Sequence, residues 1–125
     1  MTENDISYII RGGIFSIYNY FGPGLLESVY KQALYRLIKS KGLSVKKEIG
    51  VAASFMETDL GLGFRMDLLV EEKVIIEVKS IDMLSDIHPK QLLTYLRLTN
   101  LKLGILVNFN TSTIDTSIIR IVNNL

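Results

Sequence analysis

The chain has 125 residues, a formal net charge of +1 and no cysteine, a length that suits one domain over residues 1–125 and leaves little room for a separate recognition module. Without cysteine there are no disulfides and no thiolate zinc sites, and the single histidine, His88, argues against a zinc site built on imidazoles, so a bound metal would have to be held by oxygen. The start Met-Thr-Glu-Asn-Asp lacks the positive region of a secretory signal, and no segment is apolar for long enough to span a bilayer, which points to a soluble cytoplasmic protein without membrane association.

In chain order, Ile6, Ile9, Ile10, Ile14 and Ile17 recur at helical spacing after a polar start at Asn4 and Asp5, and predict an amphipathic helix despite Gly12 and Gly13. Phe21-Gly22-Pro23-Gly24 ends it, and a second helix is expected from about Leu25 to Lys41, stopping at Gly42. Glu27, Tyr30 and Leu34 share one stripe of that helix, with Leu26, Val29, Ala33 and Leu37 expected on its buried side. By position alone Glu27 is a first-turn acid favoured by the helix dipole, and Tyr30 a packing residue with a satisfied hydroxyl. No acid occurs from Ser28 to Lys47, where Lys31, Arg36, Lys39, Lys41, Lys46 and Lys47 are basic; Ile87 to Ile114 is a second acid-free stretch. Such stretches suit a phosphate backbone, and equally an ordinary solvated helix face.

From Leu43 the period changes, and Val45 to Met56 reads as one long or two broken strands before a turn at Glu57-Thr58-Asp59 and the glycines Gly61 and Gly63. Phe64 to Val70 and Val74 to Ser80 form a hairpin carrying Asp67 in its first strand and Glu77 and Lys79 in its second. Charges in a half-buried sheet must be paired, hydrogen-bonded or metal-bound. With Glu71-Glu72-Lys73 as the loop, Val70 pairs with Val74 and Asp67 falls opposite Glu77, with Lys79 further along the same face; a two-residue turn would send Asp67 to the other face. Asp86 is a candidate N-cap and Pro89 suits the first turn of a helix to about Thr99, on which His88, Gln91 and Tyr95 form one stripe. His88 fits a helix-start role better than a metal ligand. Leu103 to Phe109 reads as a strand buried on both faces, and Ser117 to Val122 as a final strand, with a short helix as the alternative.

Taken alone, Asp67 and Glu77-Val78-Lys79 are also what a structural ion pair at a sheet edge would look like. In context the hairpin resembles the active site of the PD-(D/E)XK nuclease superfamily, an Asp on one strand and Glu-x-Lys on the next, although Met66 stands in place of the proline. Gly24-Leu25-Leu26-Glu27-Ser28-Val29-Tyr30 is similar to the signature of the GxxExxY branch of that superfamily, with His88, Gln91 and Tyr95 on its polar helix face. The resemblance implies an α/β fold with a restriction-endonuclease-like core, a central mixed β-sheet flanked by helices. It implies a metal-dependent nuclease acting on DNA or RNA, with Mg²⁺ or Mn²⁺ held by Asp67, Glu77, the Val78 carbonyl and Glu27. Lys79 would assist the attacking water, Gln91 and Tyr95 would support it, and Arg65 and Tyr30 would contact substrate. A non-catalytic module binding nucleic acid or a protein on the same fold is the alternative, and homo-oligomerisation is left open.

Overall fold

The computed structural model describes residues 1–125. Helix α1 (Glu3–Phe21) opens on a capping box in which Thr2 accepts from the Asp5 amide and Asp5 from the Thr2 amide. It continues straight through its two glycines because Gly13 faces α2 (Glu27–Ser40): a Cβ there would lie 2.8 Å from a Leu37 methyl, so the missing side chain lets the helices approach. The buried stripe of α2 is Tyr30, Leu34 and Ile38. Leu26 and Val29, expected on the buried side, are exposed. The rotation of α2 is set by Tyr30, whose ring stacks on Phe109 at 4.3 Å and whose hydroxyl donates to the Gly22 carbonyl and accepts from the Leu25 amide.

Five strands follow, β1 (Val45–Phe55), β2 (Thr58–Val70), β3 (Val74–Lys79), β4 (Leu103–Asn108) and β5 (Ile118–Val122), in the spatial order β1-β2-β3-β4-β5. All neighbours are antiparallel except β3 and β4, which are parallel and joined through α3 (Ile87–Thr99), as a helical crossover requires. The result is the expected α/β architecture, a mixed sheet with helices on both faces. On one face α1 and α2 cover Leu68, Val70, Val74, Ile76 and Val78; on the other α3 covers Met66, Leu69, Ile75 and Leu106. β4 is buried along its whole length, and the last segment is a strand preceded by a 3₁₀ turn, Ile114–Ser117.

Two expectations are corrected here. The turn between β1 and β2 is not Glu57-Thr58-Asp59 but Met56-Glu57, both in the left-handed region (φ 50° and 62°), so β2 begins at Thr58 and runs through Gly61 and Gly63. Gly63 belongs to the strand because β1 and β2 come together there: a Cβ would sit 2.6 Å from that of Ala53. Asp86 precedes α3 but makes no capping bond; the turn is closed instead by the Ser85 amide donating to His88 Nδ1 at 3.0 Å. His88 is thus a helix-start residue.

Candidate active site

The central hairpin has the expected register. Val70 pairs with Val74 across the Glu71-Glu72-Lys73 loop, Leu69 with Ile75 and Leu68 with Ile76. Glu71 and Glu72 both take left-handed backbone (φ 55°), and Glu71 is held at both ends by Ser44: its amide donates to the Ser44 carbonyl and its carboxylate accepts from the Ser44 amide.

One step beyond Leu68 and Ile76 the backbone ladder stops and side chains take over. The Val78 amide donates to Asp67 Oδ2 at 2.9 Å, and the Asp67 amide donates to Glu77 Oε1 at 3.3 Å. The two strands therefore part where the two acids face one another, and each acid satisfies a backbone donor of the opposite strand. Glu77 is 7 % exposed. Burial, and then the neighbouring charge of Asp67, push its carboxyl up to about 8, while Lys79 pulls the other way. Lys79 is half-buried and has no carboxylate within 4.0 Å, so the ion pair that would make this hairpin merely structural is not formed by Lys79.

The cation beside Asp67 is Lys31, one turn after Glu27 on α2. Its Nζ lies 3.2 Å from Asp67 Oδ1 and 2.6 Å from Glu48 Oε1. Burial acts to lower the Lys31 pKa, but the bonds to Glu48 and Asp67 outweigh it and hold the amine above its ordinary value; the same contact holds Glu48 below the usual carboxylate range. Glu48 reaches this place through a left-handed backbone (φ 57°). That residue switches the strand between faces: Val45 packs toward α1 and α2, whereas Ile49 and Val51, of the same parity, pack toward α3. As a consequence the consecutive side chains of Lys47 and Glu48 both meet α2, at Gln32 and Lys31. Neither Glu48 nor the site role of Lys31 was visible in the sequence. The i, i+4 spacing of Glu27 and Lys31 was the one local signal.

The other expected residues divide. Tyr95 stacks on Phe64 at 4.0 Å, and its hydroxyl is held above its ordinary pKa by burial and by the charges of Glu77 and Asp67, which places it beside the acid pair. Gln91 is exposed one turn earlier on the same stripe. Arg65 is exposed, with Nη1 3.9 Å from Glu48 Oε2. Glu27 is half-buried, its carboxylate accepting from the Ser80 amide at 3.3 Å, just past the end of β3. It lies beside the hairpin, but no three Asp, Glu or His side chains gather into a group that could hold a metal. Tyr30, expected to contact substrate, is corrected: it is fully buried and its hydroxyl is used within the chain, so it is out of a substrate's reach. It shapes the loop whose Leu25 carbonyl accepts from Ser80 Oγ, and so ties the GxxExxY segment to the end of β3. On the far side Asn108, a buried residue with no sequence signal, closes the loop after β3 through its bonds with both the amide and the carbonyl of Ile81.

Residues 4–121 match the family model of the PD-(D/E)XK nuclease superfamily. The chain belongs to this superfamily. Neither the curated proteins nor the solved structures give a significant match. Superfamily membership makes nucleic acid the substrate class to consider, and PD-(D/E)XK nucleases generally use divalent metals. The donors present here are two carboxylates, of the oxygen type that such an ion takes, and not a group of three. Asp67 and Glu77 are hard oxygen donors set against each other, and Glu77 holds a proton near neutral pH because burial and the Asp67 charge outweigh the pull of Lys79. The molecule's four surface depressions are lined by other residues, so the acid pair is not enclosed in a cavity suited to a small ligand. No helix is long and apolar enough to cross a membrane.

Proposed function

We propose that this superfamily member, of the GxxExxY branch, is a nuclease that hydrolyses phosphodiester bonds of DNA or RNA using Mg²⁺ or Mn²⁺ held by Asp67, Glu77 and the Val78 carbonyl. When bound, the ion would supply an activated water and neutralise charge developing on the phosphate. The residues divide the remaining work. Val78 N–H fixes Asp67 Oδ2, so one carboxylate edge is oriented before any ligand arrives. Lys79, free of an ion pair, orients the attacking water or meets the phosphate oxygens. Tyr95 donates from the α3 side, with Gln91 next to it for a flanking phosphate or sugar, and Arg65 is available to a phosphate at the exposed edge. Glu27 keeps the end of β3 in place through Ser80 and acts on the site through water, in keeping with the waters that Mg²⁺ retains.

The observation that carries this reading is the parting of β2 and β3 at two facing acids, one of them buried and short of positive charge. A non-catalytic module with an idle acid cluster would neutralise its buried acids internally. Lys31 does this for Asp67 but not for Glu77. The test is cleavage of single-stranded, duplex and branched DNA and RNA in Mg²⁺ and in EDTA, by the wild type and by Asp67→Asn. Metal-dependent cleavage that falls by about three orders of magnitude or more in the variant is expected, the scale of losing a principal electrostatic contribution. A wild type that cleaves nothing in either condition would favour the binding module.

A further inference from the structure

A basic surface starts at the acid pair and leads away from it. Lys31, beside Asp67, begins a stripe on α2 that continues one turn at a time through Tyr35 to Lys39, so the stripe from Lys31 to Lys39 is about 12 Å long at 1.5 Å per residue. Lys47 joins it from β1: its amine bonds Gln32 Oε1 at 2.9 Å and lies 4.6 Å from the centre of the Tyr35 ring, while the Lys39 amine lies 5.5 Å from the same ring. Gln32, Tyr35, Arg36, Lys39 and Ser40 line an open depression of about 590 Å³. Arg36, Lys39 and Lys47 are exposed and have no carboxylate within 4.0 Å, in contrast to Lys46, which Glu72 neutralises at 2.5 Å.

Three features distinguish this surface from an ordinary solvated helix face. It is assembled from two elements: Lys47, of the same strand parity as Val45, reaches α2 from β1. Its lysines are held against an aromatic ring instead of ranging freely, which reduces the order a ligand must impose. It is continuous with the acid pair through Lys31.

We propose that Arg36, Lys39 and Lys47, arranged around Tyr35, form a track for the sugar–phosphate backbone of the nucleic acid flanking the scissile bond. The proposal rests on the nuclease reading for what lies at the end of the track. The contacts are with phosphates and carry no base specificity, since the track offers ammonium and guanidinium groups, two of them already set against the Tyr35 ring. The track holds substrate in register so that a phosphodiester reaches Asp67 and Glu77.

The test measures binding of a labelled oligonucleotide, single-stranded and duplex, in EDTA as a function of salt. It uses the wild type, Arg36→Gln/Lys39→Gln/Lys47→Gln, the charge-reversed Lys39→Glu/Lys47→Glu, and Lys102→Gln, an exposed lysine just before β4, three strands across the sheet from β1. The neutralised triple variant is expected to lose tenfold or more in affinity, with the dependence of log K on log salt shallower by about 0.7 to 0.9 per lost phosphate contact. Lys102→Gln should bind like the wild type, and melting curves confirm that the exposed substitutions leave the fold intact. Equal binding by the wild type and both track variants, an equal loss in Lys102→Gln, or no binding by the wild type would each overturn the proposal. Mn²⁺ titration of the same proteins reports separately on the acid pair. Metal binding with no effect of the track variants overturns the track alone, whereas track-dependent binding without metal binding supports the track and removes the nuclease reading.

Discussion

The two ends of the central hairpin are built on opposite principles. At the loop end Val70, Val74, Leu68 and Ile76 are fully buried and their backbones form a regular ladder; at the other end the ladder is replaced by bonds to Asp67 and Glu77, and the interior holds carboxyl groups. The apolar end gains stability from every buried methylene, while the acidic end loses some by desolvating a charge it does not fully compensate. The contrast shows how a short hairpin carries a reactive site: the regular end fixes the register, and the register alone brings the acids together.

The largest expected effect therefore lies at the end without chemistry. Ile76→Ala removes a side chain packed between α1, α2 and the sheet, and should cost about 2 to 5 kcal/mol in chemical denaturation. Metal affinity of the fraction that remains folded should be unchanged, because Asp67 and Glu77 lie outside that contact. Loss of Mn²⁺ binding in fully folded Ile76→Ala would blur the division between the two ends.

An effect of opposite sign is expected from Glu77→Gln. Because the Glu77 carboxyl is raised to about 8 in the folded chain from an ordinary value near 4.5, the folded state binds a proton that the unfolded state has released between those values. Stability from this group is then fully present below about pH 4.5, falls as pH rises toward about 8, and is flat above. Melting temperatures recorded in EDTA across this range should show a decline in the wild type that is absent in Glu77→Gln, which should be the more stable protein at alkaline pH. A decline of the same size in both would assign the pH dependence elsewhere.

Lys31→Met should have the smallest effect. Glu48 is 43 % exposed but Lys31 and Asp67 are only 15 % and 16 % exposed, so stability should fall by about 1 to 2 kcal/mol, below the range for Ile76→Ala. Removing the positive charge beside Asp67 should nevertheless move the pH-dependent decline to higher pH, since the Asp67 charge that raises Glu77 is then less compensated. An unchanged decline would mean that Lys31 is not electrostatically part of the site.

Which parts of this contrast were legible in the sequence follows from their physics. The hairpin register was, because alternation of apolar residues and a charged loop leave one pairing that buries Leu68, Val70, Val74 and Ile76 together. The three helices and the succession of helices and strands along the chain were legible from periodicity. The long β1–β2 arm was not, because Met56 and Glu57 are uncommon in the left-handed turn they form, and Gly63 signals a loop until Ala53 is seen against it. Asp67, Glu77 and Tyr95 come together as their positions in the chain suggested. Lys31 and Glu48 meet only through a left-handed glutamate and a contact between α2 and β1, which no local pattern encodes. Tyr30 was misplaced for the converse reason: a residue within a recognisable motif invites a functional role, whereas the ring stacked on Phe109 makes it part of the core.

The central claim, that the acidic end is a metal site waiting for charge, is tested most directly by calorimetric titration of Mn²⁺ into the wild type at about pH 7 in two buffers of different ionisation enthalpy. Glu77 holds a proton at that pH and must release it to become a ligand. The account predicts binding at one site accompanied by release of close to one proton, both lost in Asp67→Asn. Absence of Mn²⁺ binding by the folded wild type, or binding that persists unchanged in Asp67→Asn, would contradict it.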